Sequence, residues 1–286
     1  MTVLRASVLG YCAGVRRAMR MAFEAIEKYP KGNTYTYGPL IHNPTALASL
    51  EQAGIHGLPI GAPLSPPDAG TIDVIIVCAH GVAPEVMRRL GATGAAIVDA
   101  TCPRVTASQQ KAARFAGQGC RVIIAGDRHH GEVAGIAGYA KDWVIVENAG
   151  DAARLDLDPA ARYALIAQTT ISREEYAGIK TALTAGITGV EIAETLCPEA
   201  VRRQDAVQNL CGQVAGVLVI GGRDSANTRR LFALAAAHAP EAALIEGPDE
   251  IPARFFALDR VGLTAGASTP DEVIDAVEVR LKKSKI

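Results

Sequence analysis

The sequence has almost no excess of charge: 29 basic residues face 30 acidic ones, for a net charge of −1. A protein that grips nucleic acid by neutralising many phosphates needs a basic surplus, so that class is excluded. A small anion needs only local donors and stays possible. No apolar run approaches the roughly 18–20 residues of a membrane-spanning helix. The short apolar stretch after Arg5 runs straight into Arg16-Arg17 and does not read as a signal peptide. Six cysteines in 286 residues are too few for a disulfide scaffold. Reduced thiols in the cytoplasm are the expected state. There is no nicotinamide or flavin fingerprint. What is present is a 49% hydrophobic chain, enough for a substantial core in one large domain or two or three small ones.

One pattern occurs three times. Ala96-Ile97-Val98-Asp99-Ala100-Thr101-Cys102 is a mostly apolar run that ends in a thiol, with a helical pattern beginning at Pro103-Arg104. Ser7 to Cys12 and Ile192 to Cys197 repeat it, and the intervals between the three cysteines are nearly equal. Further positions recur in register. His42-Asn43, His130-Gly131-Glu132 and Ser225-Ala226-Asn227 follow the cysteines at one spacing. His80-Gly81, Thr169-Thr170 and Ser268-Thr269 follow at a longer one. A period of about ninety residues suits a small α/β subdomain better than a solenoid. The expected segments are 1–102, 103–197 and 198–286, three α/β repeats facing one another.

Along the chain, strand-like and helical runs alternate, which predicts α/β units with largely parallel sheets. Residues 3–9 read as a buried strand and 14–28 as a helix. Val74 to Cys78, Arg121 to Ala125, Tyr163 to Ala167, Val214 to Ile220 and Arg260 to Ala265 read as further strands. Asn43 and Ser172 are placed to cap helices, and Gly61 to Gly70 reads as a proline-rich surface loop. Every polar cluster falls where a strand hands over to a helix. That edge of an α/β sheet binds ligands, and helix N-termini there favour anions.

Three thiolates can hold zinc or an iron–sulfur cluster. Zinc sites show close Cys-x-x-Cys or His-x-x-x-His pairs, which are missing here, whereas single cysteines far apart suit a cluster held between domains. A 4Fe–4S cluster with three cysteines keeps one iron open for a substrate oxygen. Cys78, Cys120 and Cys211 lie outside the repeat and read as small buried hydrophobes. His42, His80 and His130, with Ser225, Asn227 and Ser268 in the third repeat, resemble a ring of donors for a diphosphate. Glu132 is the one carboxylate in that ring and so the natural proton donor or relay. Arg16, Arg17, Arg202 and Arg203 read as solvated helix faces.

Gly10-Tyr11-Cys12-Ala13-Gly14-Val15, Ile41-His42-Asn43, Ala79-His80-Gly81-Val82 and Asp99-Ala100-Thr101-Cys102-Pro103 resemble the first half of the LytB/IspH family. His130-Gly131-Glu132-Val133, Gln168-Thr169-Thr170, Ser225-Ala226-Asn227 and Thr264 to Ser268 continue the likeness over essentially the whole chain. The resemblance implies a trefoil of three pseudo-threefold-related α/β domains around a central 4Fe–4S cluster. It implies the reduction of 4-hydroxy-3-methylbut-2-enyl diphosphate to isopentenyl and dimethylallyl diphosphates, the last step of the non-mevalonate isoprenoid pathway. By motif, Cys12, Cys102 and Cys197 would be the iron ligands. His42, His80, His130, Ser225, Asn227 and Ser268 would hold the diphosphate. Glu132 would supply protons, and Thr169 would help to place the substrate hydroxyl. Electrons would come from a ferredoxin or flavodoxin; no membrane or nucleic-acid partner is implied.

Three departures stand out. Ala226 replaces the middle residue of the family's usual Ser-Ser-Asn, and Gly131 that of its His-Pro-Glu. Pro198-Glu199-Ala200-Val201 stands where an Ala-Thr pair is usual. Two other readings fit parts of the pattern: a divergent cluster-bearing diphosphate-binding or sensor protein, and a three-cysteine radical enzyme of the diphthamide-synthesis type.

Overall fold

The computed structural model describes residues 1–62 and 71–283, so most of the loop expected over Gly61–Gly70 lies outside the described residues. The chain opens with β1 (Thr2–Arg5), α1 (Ala13–Lys28), β2 (Thr34–Tyr37), α2 (Pro44–Gln52), β3 (Ile55–Leu58), β4 (Val74–Val77), α3 (Pro84–Gly91) and β5 (Ala96–Asp99). It continues through α4 (Pro103–Gly117), β6 (Cys120–Ala125), α5 (Gly131–Ala137), β7 (Trp143–Val146), α6 (Ala149–Ala153), β8 (Arg162–Ala167), α7 (Arg173–Gly186) and β9 (Glu191–Ala193). It ends with α8 (Pro198–Cys211), β10 (Gly216–Ile220), α9 (Ala226–His238), β11 (Ala242–Ile245), two short 3-10 turns, β12 (Arg260–Ala265) and α10 (Asp271–Lys283).

Among the described residues the strands form three 4-stranded sheets, ordered β3-β2-β4-β5, β7-β6-β8-β9 and β11-β10-β12-β1. Every pairing is parallel. The three orders are one pattern, in which the fourth strand lies beside the third and leads to a cysteine. In the last sheet that fourth place is taken by β1, the first strand of the chain, paired from Thr2 opposite Arg260 to Arg5 opposite Leu263. The chain divides into two compact units, Met1–Arg16 with Ile41–Ser49 and Pro198–Ile286, and Arg17–Leu40 with Leu50–Cys197.

Burial explains why the central strands are almost continuously apolar. In β6, Val122 and Ile124 join one core cluster while Ile123 and Ala125 join another, so both faces of the sheet are covered. The same division separates Leu218 and Ile220 from Val217 and Val219 in β10. The edge strands differ. A buried strand over residues 3–9 was expected, but β1 stops at Arg5; its two ends are exposed and Val3 and Leu4 only half-buried. An edge strand has a neighbour on one side alone. Arg5 is held there by Asp275 and Glu278 of α10.

The expected caps are in place. Asn43 Oδ1 accepts the Ala46 N–H at 3.0 Å, and Ser172 and Glu175 form a reciprocal capping box. Pro103 starts α4 directly after Cys102, where a missing N–H costs nothing.

Candidate functional site

In the unit that contains both chain ends, Cys12 lies in the connection from β1 to α1. Its N–H donates to the carbonyl of Ala267, just after β12, at 3.1 Å. The thiol is half-buried, and its sulfur accepts the Val15 N–H at 3.4 Å. Burial pushes the Cys12 thiol above its ordinary value, against the Val15 N–H and the Arg203 guanidinium. His42 follows β2 in the chain, and its carbonyl accepts the Ser268 hydroxyl at 3.1 Å. Burial pulls the His42 imidazole down, opposed by Asp224 and reinforced by Arg229. Ser225 caps α9 by accepting the Thr228 N–H at 3.3 Å. Asn227, in the first turn of α9, is buried, and its Nδ2 has no hydrogen-bond partner. A donor shielded from water and unpaired is costly unless a ligand takes it.

Arg203 corrects the expectation of a solvated face. Arg202 is exposed, but Arg203 is only 2% exposed. Its Nη2 donates to the Gly10 carbonyl at 2.6 Å, two residues before Cys12. Glu199, part of the departure after Cys197, lies 3.7 Å from Arg203 Nη1 and accepts the Ala13 N–H at 3.3 Å. The signal was present in the sequence: Ala200, Arg203, Gln204 and Val207 share a helix face, and all are buried. Replacing Arg203 by Met should lower the unfolding free energy of the cluster-free chain by about 1.5–3 kcal/mol, read from urea denaturation.

In the other unit, the Cys102 N–H donates to the Ala79 carbonyl at 2.9 Å, and the Cys197 N–H donates to the Thr169 carbonyl at 2.9 Å. All three motif cysteines are thus tied in the same way, each to the turn that leaves the third strand of its sheet. This register places Thr169 level with Ala79 and Ala267, one residue before the positions of His80 and Ser268. His80 is buried. The next residue must be glycine: Gly81 has φ +70°, and a Cβ there would lie 2.7 Å from Gln109 Nε2 and 2.8 Å from Thr101 Cγ2.

His130 caps α5 with its own side chain, its Nδ1 accepting the Glu132 N–H at 3.1 Å. An Nδ1 that accepts fixes the neutral ring's proton on Nε2. The His80 and His130 rings meet edge-on, with centroids 6.1 Å apart. Glu132 is 3% exposed. Its Oε1 accepts the Thr169 N–H at 2.6 Å, and its Oε2 bonds the Thr169 hydroxyl at 2.9 Å. Gln168, fully buried, steadies this turn: its Oε1 accepts the Asp127 N–H at 2.8 Å, and its Nε2 donates to Thr170 Oγ1 at 3.1 Å.

The donor chemistry fits an iron–sulfur group. Cys12, Cys102 and Cys197 are half-buried thiols in no disulfide, while Cys78, Cys120 and Cys211 are buried as expected. Among the described residues no group of three or more His, Cys, Asp or Glu could hold a single metal ion. A cluster asks something else of its ligands, since each thiolate takes its own iron. No helix among the described residues is long and apolar enough to cross a membrane.

Three parallel sheets of one strand order, each leading to a half-buried cysteine and a set of polar turns, define a class of three-cysteine α/β proteins. Within it, the chain belongs to the LytB protein family, which it matches over residues 3–282. It is 45% identical to the 4-hydroxy-3-methylbut-2-enyl diphosphate reductase of Treponema denticola, over 98% of this chain and 99% of that protein. It is 42% identical to the reductase of the same name from Treponema pallidum (strain Nichols), over 98% of this chain and 83% of that one. Among solved structures it resembles the E-1-hydroxy-2-methyl-but-2-enyl-4-diphosphate reductase of Plasmodium falciparum, with a TM-score of 0.88 at 25% identity over 96% of this chain and 86% of that one. It also resembles an (E)-4-hydroxy-3-methyl-but-2-enyl diphosphate reductase described as the terminal enzyme of the non-mevalonate pathway. There the TM-score is 0.68 at 32% identity, over 99% of this chain and 100% of that one.

Proposed function

We propose that this chain removes the hydroxyl of 4-hydroxy-3-methylbut-2-enyl diphosphate as water, consuming two electrons and two protons, to give isopentenyl and dimethylallyl diphosphates. The likeness to reductases of that name over nearly the whole chain supports this reading. It leaves the sensor and the diphthamide-type alternatives without a supporting observation. Cys12, Cys102 and Cys197 would hold a 4Fe–4S cluster, which when bound would pass on the electrons and offer an open iron. The segments 1–102, 103–197 and 198–286 are three copies of one unit, with β1 exchanged into the last sheet.

The other roles fall to side chains already described. His42, His80, His130, Ser225, Asn227 and Ser268 bind the diphosphate. His130 offers its Nε2–H and Asn227 its unpaired amide N–H. Glu132 holds the proton. The Thr169 N–H can only donate, so Glu132 Oε1 must accept. The Thr169 hydroxyl can turn either way, so the exchangeable proton sits on Oε2 and passes through Thr169 Oγ1, which also places the substrate hydroxyl. One observation carries the assignment: Glu132 is bonded at both oxygens to Thr169, whose carbonyl holds the Cys197 N–H. The proton donor and a cluster ligand share one residue. A ferredoxin or flavodoxin supplies the electrons, in keeping with the lack of a nucleotide fingerprint.

The test is direct. Purified anaerobically and reconstituted with iron and sulfide, the protein should be brown and should convert the substrate to the two products with a reduced viologen dye. A fully reconstituted protein that forms neither product overturns the proposal.

A further inference from the structure

Cys78 directly follows β4 and is fully buried in the core of its sheet. Its sulfur lies 3.2 Å from Nδ1 of His80. The same nitrogen lies 3.3 Å from the carbonyl oxygen of Gly81. These two neighbours ask for opposite tautomers. A carbonyl only accepts, so it draws the ring proton to Nδ1. A thiol can donate, which leaves the lone pair on Nδ1 and the proton on Nε2. Burial pushes the Cys78 thiol up to about 12, so it keeps its proton at neutral pH. The ring is also confined by Gly131. A Cβ there would lie 2.6 Å from both Nδ1 and Cε1 of His80, inside any real contact distance. The space a side chain would need at residue 131 is filled by this imidazole, and residue 131 is one of the places where the chain departs from its family's usual motif.

We propose that Cys78 and Gly131 are positioning residues for His80. The thiol donates to Nδ1 and so fixes the Nε2–H tautomer, and the bare backbone at 131 leaves the ring the place in which it lies. This rests on the reading of His80 as a donor to the diphosphate. An Nε2–H offers that anion a hydrogen bond, whereas the other tautomer turns a lone pair towards it. Without Cys78 the Gly81 carbonyl, 3.3 Å from Nδ1, draws the ring proton to that nitrogen and selects the unproductive form.

The experiment uses the full-length, anaerobically reconstituted protein and measures KM and kcat for 4-hydroxy-3-methylbut-2-enyl diphosphate. Cys78→Ala should raise KM about three- to tenfold, the worth of one hydrogen bond, with kcat within about twofold. Cys78→Ser should restore KM, because a hydroxyl also donates. Gly131→Ala should raise KM comparably, although alanine is the better helix former at that position. In a His80→Ala background neither change should add anything, since both act through the ring. The 15N spectrum of His80 should show the Nε2–H tautomer in the parent and in Cys78→Ser, and the Nδ1–H tautomer in Cys78→Ala. If His80→Ala raises KM while Cys78→Ala and Gly131→Ala do not, or if the tautomer stays the same, the positioning roles are overturned. If His80→Ala itself leaves KM unchanged, the reading of His80 as a diphosphate donor fails, and these roles fail with it.

Discussion

Replacing any one of Cys12, Cys102 and Cys197 by serine should abolish turnover and the brown colour, while Cys120→Ala and Cys211→Ala should keep both. The first three are half-buried, and each backbone N–H is bonded to the carbonyl of a residue just after the third strand of its sheet, so the chain is fixed at each of the thiols proposed as ligands. Cys120 and Cys211 have no such place. Burial raises both thiols, and the Cys120 thiol donates to Glu191 Oε1 over a long 3.8 Å. A cube with four irons and only two protein thiolates leaves two irons without a protein ligand, which invites loss of iron. Serine at a half-buried turn costs the fold little, about 0.5 kcal/mol or less, so circular dichroism should not change. Iron and sulfide per chain, with the visible spectrum, decide the matter. A full cluster in the Cys12→Ser protein would remove Cys12 from the ligand set.

The cysteines and the polar turns were legible because each is a local event. An apolar run stops, glycine or a small polar residue follows, and a helix pattern begins. That punctuation is complete within a few residues and needs no partner. The destination of β1 was not legible for the opposite reason. Its run reads the same whichever sheet it joins, and only pairing with Arg260–Leu263, at the far end of the chain, decides it. The third sheet is therefore completed by the first strand of the chain, where the sequence suggested three successive segments. β3 gives no strand signal because Gly57 interrupts it and only its two ends, Ile55 and Leu58, are buried, which gives no alternation. β11 was hidden by its two alanines.

Within the site, one-residue offsets were the limit. Spacing paired Thr169 with His80 and Ser268, but the hydrogen bonds of the cysteines set Thr169 level with Ala79 and Ala267. Turn lengths differ between the three sheets, and counting from cysteine to cysteine absorbs that difference silently. The charge of Arg203 reads as a solvated face, although its neighbours on α8 mark a buried one. The partnership of Glu132 with Thr169 joins residues from two separate turns of the second sheet, and no spacing rule brings them together.

That partnership makes Glu132→Gln the most informative single change at the site. Glutamine keeps the shape: its carbonyl oxygen can accept the Thr169 N–H in the place of Oε1, and its amide can donate to Thr169 Oγ1 in the place of Oε2. What it lacks is a proton it can give up. The expected result is a fall in kcat of about 10²- to 10⁴-fold, the usual worth of a positioned general acid. KM should stay within about threefold, because the residues assigned to the diphosphate are untouched. Fold and cluster should survive, with at most about 1 kcal/mol lost from the acidic first turn of α5. Glu132→Ala is a poorer probe, since it strands the buried Thr169 N–H at a cost of about 1–3 kcal/mol. Thr169→Val separates the two bonds: it keeps the N–H to Oε1 and removes the hydroxyl proposed as the proton's path. If the relay runs through Oγ1, Thr169→Val should lower kcat in the parent and add little to Glu132→Gln, because the two side chains then serve one transfer. Fully additive losses in the double variant would mean that Glu132 passes its proton by another route.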